Sequence, residues 1–254
     1  MLVNYLNRLV QKTAKWKWLH SSWVFAIILP IWILVGLALS VLATYALLYV
    51  LSIAGISLAG LDRTILSATL AAVIYALTIV FVVWLPQLFK KYVTLKELGL
   101  QRLPSWMDML LSPAGFIVYF IGSSLLVYIA TQLFSGFDVA EAQDVGFTRL
   151  TQYYEYVLAF VTLIVVAPVA EEVLFRGFLY GKLRGRMPIW VAMLITSALF
   201  GLIHGQWNVG LDVFALSIVL CSLREITGGI WSGILLHMIK NSIAFFILFI
   251  SPLL

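Results

Sequence analysis

Charge is scarce in this chain. Asp, Glu, Lys and Arg make up 11% of its 254 residues, where an ordinary soluble domain carries about a quarter. With 63% hydrophobic residues, this shortage excludes a soluble globular fold and points to an all-α, polytopic membrane helix bundle. Cysteine is almost absent: Cys221 stands alone in an apolar run, so no intramolecular disulfide can form and the thiol reads as packing. Internal repeats and low-complexity tracts are missing too, which weighs against the repeat-built carriers of the membrane. Strong net charge is lacking as well. The excess of +5 lies in a few short basic segments, as topology signals do, and not in a nucleic-acid-binding surface.

What the chain has in abundance is apolar sequence in runs of about 20 residues, the length that crosses a bilayer. Seven spans are expected, at 23–53, 64–85, 114–134, 153 to the double glutamate, 188–204, 209–223 and 229–250. The count rises to eight if the long first run, which contains Pro30, is split. The first run is too long for a cleaved signal and reads as a retained anchor. Amphipathic pieces are expected at 87–100, basic on one side, and at 174–183, which can simply continue the fourth span. The organisation is then a basic tail at 1–22, N-terminal spans with a connector at 23–150, and a C-terminal region at 151–254. Basic residues mark alternate loops: Arg8, Lys12, Lys15 and Lys17; Lys90, Lys91, Lys96 and Arg102; Lys182, Arg184 and Arg186. Between them, Arg149 is outnumbered by Asp138, Glu141 and Asp144. The expected topology is a multi-pass protein, of the cell membrane if bacterial, with its N-terminus in the cytosol.

Against this background three polar clusters stand out: Glu171-Glu172-x-x-x-Arg176, Phe200-x-x-x-His204 and His237-x-x-x-Asn241. Ionisable groups at bilayer depth are expensive and usually face a protein interior where they act. If the fourth helix continues to about Arg184 and turns at Gly185–Pro188, Glu171 and His204 reach similar heights on antiparallel neighbours. Glu172 and Arg176 are four apart with the acid first, the favoured pairing orientation. Glu171 points about 100° away and is left free to act as a general base on water. His237 and Asn241 share a helix face, and an imidazole with an amide can hold a developing oxyanion. These parts suit hydrolysis of an acyl or peptide bond. No cofactor is expected. The alternative is zinc, bound by Glu171, His204 and His237 with water in the fourth position, although no His-Glu-x-x-His segment is present.

The surrounding residues take plainer readings. Gly177, Gly181 and Gly185, and Gly229 with Gly233, form small-residue stripes that read as packing within the bundle, with a homodimer face as the alternative. Lys240 lies off the His237 face and is read as snorkelling or pairing with an acid such as Glu225. Glu155 and Asp212 read as boundary residues of their spans. Gln206, Trp207 and Asn208 read as an interfacial loop.

In these three clusters, taken in order, the chain resembles the CAAX protease and bacteriocin-processing (CPBP, or Abi) family of intramembrane proteases. The resemblance covers about residues 153–250. It implies that Glu171 and His204 activate the attacking water, that His237 and Asn241 stabilise the oxyanion, and that Glu172 and Arg176 are structural. The expected function is an intramembrane endopeptidase acting on a membrane-associated protein or peptide. The alternatives are a non-proteolytic adaptor or bacteriocin-immunity protein on the same scaffold, and a solute or proton carrier.

Overall fold

A computed structural model describes residues 22–58, 60–89, 92–139, 141, 143, 145–147 and 150–253. The basic tail expected at 1–22 lies almost wholly outside the described residues, as do Lys90, Lys91, Asp144 and Arg149. Among the described residues there are seven helical segments and no strand. They are α1 (Ser22–Ile53), α2 (Arg63–Leu88), α3 (Trp106–Leu133), α4 (Tyr153–Arg184), α5 (Ile189–Leu202), α6 (Trp207–Thr227) and α7 (Trp231–Ile250).

Each boundary has a local cause. Asp62 accepts from the amides of Thr64 and Ile65 and so starts α2. Ser105 and Asp108 form a capping box at the start of α3, eight residues before the expected beginning of that span. Glu155 accepts from the Gln152 and Thr151 amides at the start of α4. Gly228, at φ 67°, closes α6 in the left-handed conformation. The first apolar run is one helix, with Pro30 inside it.

Five of the seven, α1 to α4 and α7, are long and apolar enough to cross a membrane, and α5 is a shorter apolar helix of 14 residues. The outer faces of α1 and α3 expose large apolar side chains, among them Ile27, Leu42, Ile117 and Ile121. Such faces suit lipid. The chain is a multi-pass integral membrane protein. The piece at 87–100 is, among its described residues, the end of α2 followed by a hydrogen-bonded turn at Leu95–Gly99.

At the centre lies α4, packed against α1, α2, α5, α6 and α7. It runs unbroken past the double glutamate to Arg184. Two stretches are widened to π geometry, Val161–Val166 and Glu172–Tyr180. Pro168, which has no N–H to donate, follows the first. Every residue of the second is buried. Its Leu174, Phe175 and Leu179 pack in one buried apolar cluster with Leu183, Phe200 and Val213.

Both glycine stripes serve packing inside the bundle. A Cβ at Gly181 would meet the Arg224 guanidinium at 3.0 Å, one at Gly229 the Gly99 carbonyl at 3.2 Å, and one at Gly233 the Glu172 carboxylate at 2.9 Å. Gly201 and Gly210 bring α5 and α6 together backbone to backbone.

The α2–α3 connector is pinned to the bundle. Arg224 donates to the carbonyls of Glu97 and Leu98, the Ile230 amide to Gly99, Gln101 to Gly228, and Trp231 to Arg102. Arg102 pairs with Asp108. Near the same end of the bundle, Arg186 lies over the Phe25 ring at the start of α1. At the other end, Thr64 meets Glu155, and Gln206 and Asn208 meet Glu141. Successive helices therefore alternate in direction between a basic end and an acidic one.

Candidate active site

The Glu172–Arg176 pair forms as helix spacing predicts. Arg176 Nη1 donates to Glu172 Oε1 at 2.9 Å, and both side chains are fully buried. The guanidinium also lies 4.3 Å from the centre of the Phe200 ring. Glu172 has a second partner that spacing did not suggest: the same Oε1 lies 3.1 Å from His237 Nδ1. A carboxylate oxygen only accepts, so Nδ1 carries the proton and the remaining nitrogen, Nε2, is directed elsewhere. It lies 3.8 Å from Glu171 Oε2. That separation exceeds a hydrogen bond and leaves room for one water donating to both atoms.

Glu171 is the more exposed acid of the two, at 14% of its side chain against none for Glu172. It lines a cavity of about 360 Å³ with His204, Leu174, Phe175, Ile203 and several residues of α1 and α2. His204 follows the end of α5, and its Nδ1 lies 2.7 Å from the Phe200 carbonyl. The carbonyl assigns the proton to Nδ1 and leaves Nε2 as a base. Glu171 and His204 thus line one cavity, while the nearly buried His237 lies beside Glu171 and outside its lining, and Phe200 is stacked edge-on against both imidazole rings.

Asn241 stands one turn beyond His237 and is not drawn into this cavity. Its Nδ2 donates to the Leu163 carbonyl at 2.8 Å, in the first widened turn of α4. Lys240 pairs with Asp212 at 3.6 Å and not with Glu225, which instead takes Tyr180 and Arg184. Asp212 is more than a boundary residue, because it also accepts from Tyr119 and Ser123 of α3.

One residue of the site escaped sequence reading. Tyr75 of α2 donates its hydroxyl to Glu171 Oε1 at 2.6 Å, across 96 positions of sequence. The one signal for it was a tyrosine amid the small and aliphatic residues of the second span. As for metal, among the described residues no three His, Cys, Asp or Glu side chains are grouped so as to hold an ion.

The described chain is all-helical and multi-pass, with two carboxylates and two imidazoles close together inside its bundle. The sequence model of the family described as type II CAAX prenyl endopeptidase, Rce1-like, matches residues 153–243, from the start of α4 into α7. That match spans 91 of the chain's 254 residues and shows a similarity to this family over that region. An Escherichia coli protein named "Uncharacterized 24.3 kDa protein" is 29% identical over 130 residues, covering 48% of this chain and 59% of that protein. A Bacillus subtilis (strain 168) protein named "Putative membrane peptidase YdiL" is 31% identical over 78 residues, covering 31% of this chain and 32% of its own length. Both matches span less than two thirds of the relative. No solved structure matches.

Proposed function

We propose that the protein is an intramembrane endopeptidase, hydrolysing a peptide bond of a membrane-associated protein or peptide with a carboxylate-activated water. The observation that carries this reading is the division of labour between adjacent acids. Glu172 is consumed by Arg176 and His237, while Glu171 opens onto a cavity shared with His204. A water between Glu171 Oε2 and His237 Nε2 gives up a proton to Glu171 as its oxygen attacks the scissile carbonyl. His204, with Nε2 free, receives and relays that proton to the leaving amine. His237, its Nδ1–H held by Glu172, keeps that water oriented through Nε2, and the Asn241 amide holds the developing oxyanion once it leaves Leu163. The site needs no metal under this reading, so metal analysis of the purified protein should find no stoichiometric zinc and chelators should leave turnover unchanged.

The basic end of the bundle faces the cytosol in this reading, placing the N-terminus there. The test of function is comparative proteomics of membranes bearing wild-type protein or Glu171→Gln. A membrane protein or peptide that accumulates uncleaved with Glu171→Gln, and is cut by purified wild type, supports the endopeptidase. Undiminished cleavage by Glu171→Gln overturns it. If cleavage is absent from both proteins while Glu171→Gln still complements the biological phenotype, the scaffold serves as an adaptor or immunity protein instead.

A further inference from the structure

The matched family domain begins at residue 153, yet the candidate cavity is not closed by that domain. Ile33 and Leu37 of α1, and Ala71, Ile74, Tyr75 and Thr78 of α2, form one side of it. This side is rigidly built. Trp32 Nε1 donates to the Val82 carbonyl at 3.1 Å, in the widened turn Val80–Trp84. Ser40 and Thr78 hydroxyls bond at 2.8 Å, both buried. Val82 fills the gap left by Gly36. The α1–α2 hairpin is therefore locked in register, and Thr78 is one helical turn from Tyr75.

Resting on the endopeptidase reading, we infer that Tyr75 is a positioning residue for Glu171, so that the catalytic site is shared between the matched domain and the N-terminal hairpin. A phenol donates one hydrogen bond, and at 2.6 Å this one is charge-assisted when Glu171 is ionised. It occupies Oε1 and so fixes the rotation of the carboxylate, leaving Oε2 toward His237 and the water. Among the described residues, nothing else around Glu171 does this. His237 lies on the Oε2 side, Arg176 is spent on Glu172, and Lys240 is held by Asp212. The α1 wall contributes only Ile33 and Leu37. Without Tyr75 the Glu171 carboxylate is free to rotate, and the base loses its aim without losing its chemistry.

The test uses the full-length protein and the substrate that accumulates with Glu171→Gln. Tyr75→Phe keeps the ring and removes the donor. It should lower kcat about 10- to 100-fold with KM within about two-fold, since misaim of a catalytic group costs rate more than binding. Tyr128→Phe, on the exposed face of α3, should retain the wild-type kcat. A second measurement needs no turnover: 3-fluorotyrosine placed at position 75 should show a ¹⁹F resonance that moves on Glu171→Gln and stays put on Glu141→Gln. This near-isosteric variant also decides the matter if Tyr75→Phe fails to fold. A wild-type kcat for Tyr75→Phe, or a resonance indifferent to Glu171, overturns the inference. Undiminished turnover by Glu171→Gln itself is a different result: it removes the endopeptidase reading, and this inference with it.

Discussion

Two glutamates side by side in one helix have opposite circumstances. Glu172 is completely buried and shared by a guanidinium and an imidazole, whereas Glu171 meets a phenol and an open cavity. Their amides should therefore behave differently. Glu172→Gln leaves Arg176 buried without a counter-charge, an error worth about 3–5 kcal/mol, and should lower the melting temperature in detergent sharply. Glu171→Gln should abolish cleavage and leave that melting temperature nearly unchanged. Equal melting temperatures for the two variants would contradict this. Helix spacing made the Glu172–Arg176 pair legible, because four residues fix a face. It could not reveal Tyr75, whose partner is 96 positions away. Nor could it reveal the anchoring of Asn241, because the accepting Leu163 carbonyl lies in a π turn that leaves no pattern in apolar sequence.

Among the elements, hydrophobic runs located all seven helices to within a few residues at most ends. The start of α3 was missed by eight residues, although Ser105 and Asp108 carried the capping signal three residues apart. The conformation of the connector left less trace in the sequence. Its structure depends on Arg224 and on the backbone of the α6–α7 turn, none of it local in sequence. Arg224→Ala should strip the partners from two carbonyls, at a cost of about 1–3 kcal/mol for each left unsatisfied, and expose the connector to limited proteolysis before the helices melt. Acid should act in the same direction. The Glu97 carboxyl is held below the usual glutamate range, first by the Thr94 amide and further by Lys182. Its contribution is complete above the unfolded value of about 4.3 and is lost as pH falls through the folded one. Cleavage within the connector should accordingly rise only as pH falls below about 4.3, and Glu97→Gln should make it pH-independent there. On α5, Gly201→Val should fail to pack, since even a Cβ would meet the Gly210 carbonyl at 2.7 Å. A wild-type melting temperature for that variant would show that α5 and α6 can separate.

For the whole molecule, alternation of helix direction gathers Lys96, Arg102, Lys182, Arg184, Arg186 and Arg224 at one end, and Asp62, Glu141 and Glu155 at the other. The orientation inferred from that asymmetry can be measured directly. Cys221 is completely buried, so it should stay silent to a membrane-impermeant maleimide. In intact cells the reagent should label Leu61→Cys, whereas Leu103→Cys should react only after lysis. The reverse pattern would invert the topology.

The shortness of α5 has a consequence for the lipid around it. Fourteen residues span about 21 Å, whereas the hydrocarbon core of a bilayer is about 30 Å thick. Trp190, Leu194 and Leu202 face outward along this helix, so the deficit is met by lipid and not hidden inside the protein. Thinning of the acyl chains beside α5 is one way to match it, each ångström of mismatch costing a fraction of a kcal/mol. The helix ends two residues before His204, so the thinned annulus draws the polar headgroup layer toward the mouth of the cavity. Hydrophobic mismatch would then bring water and the polar backbone of a peptide to a site that the bilayer would otherwise seal.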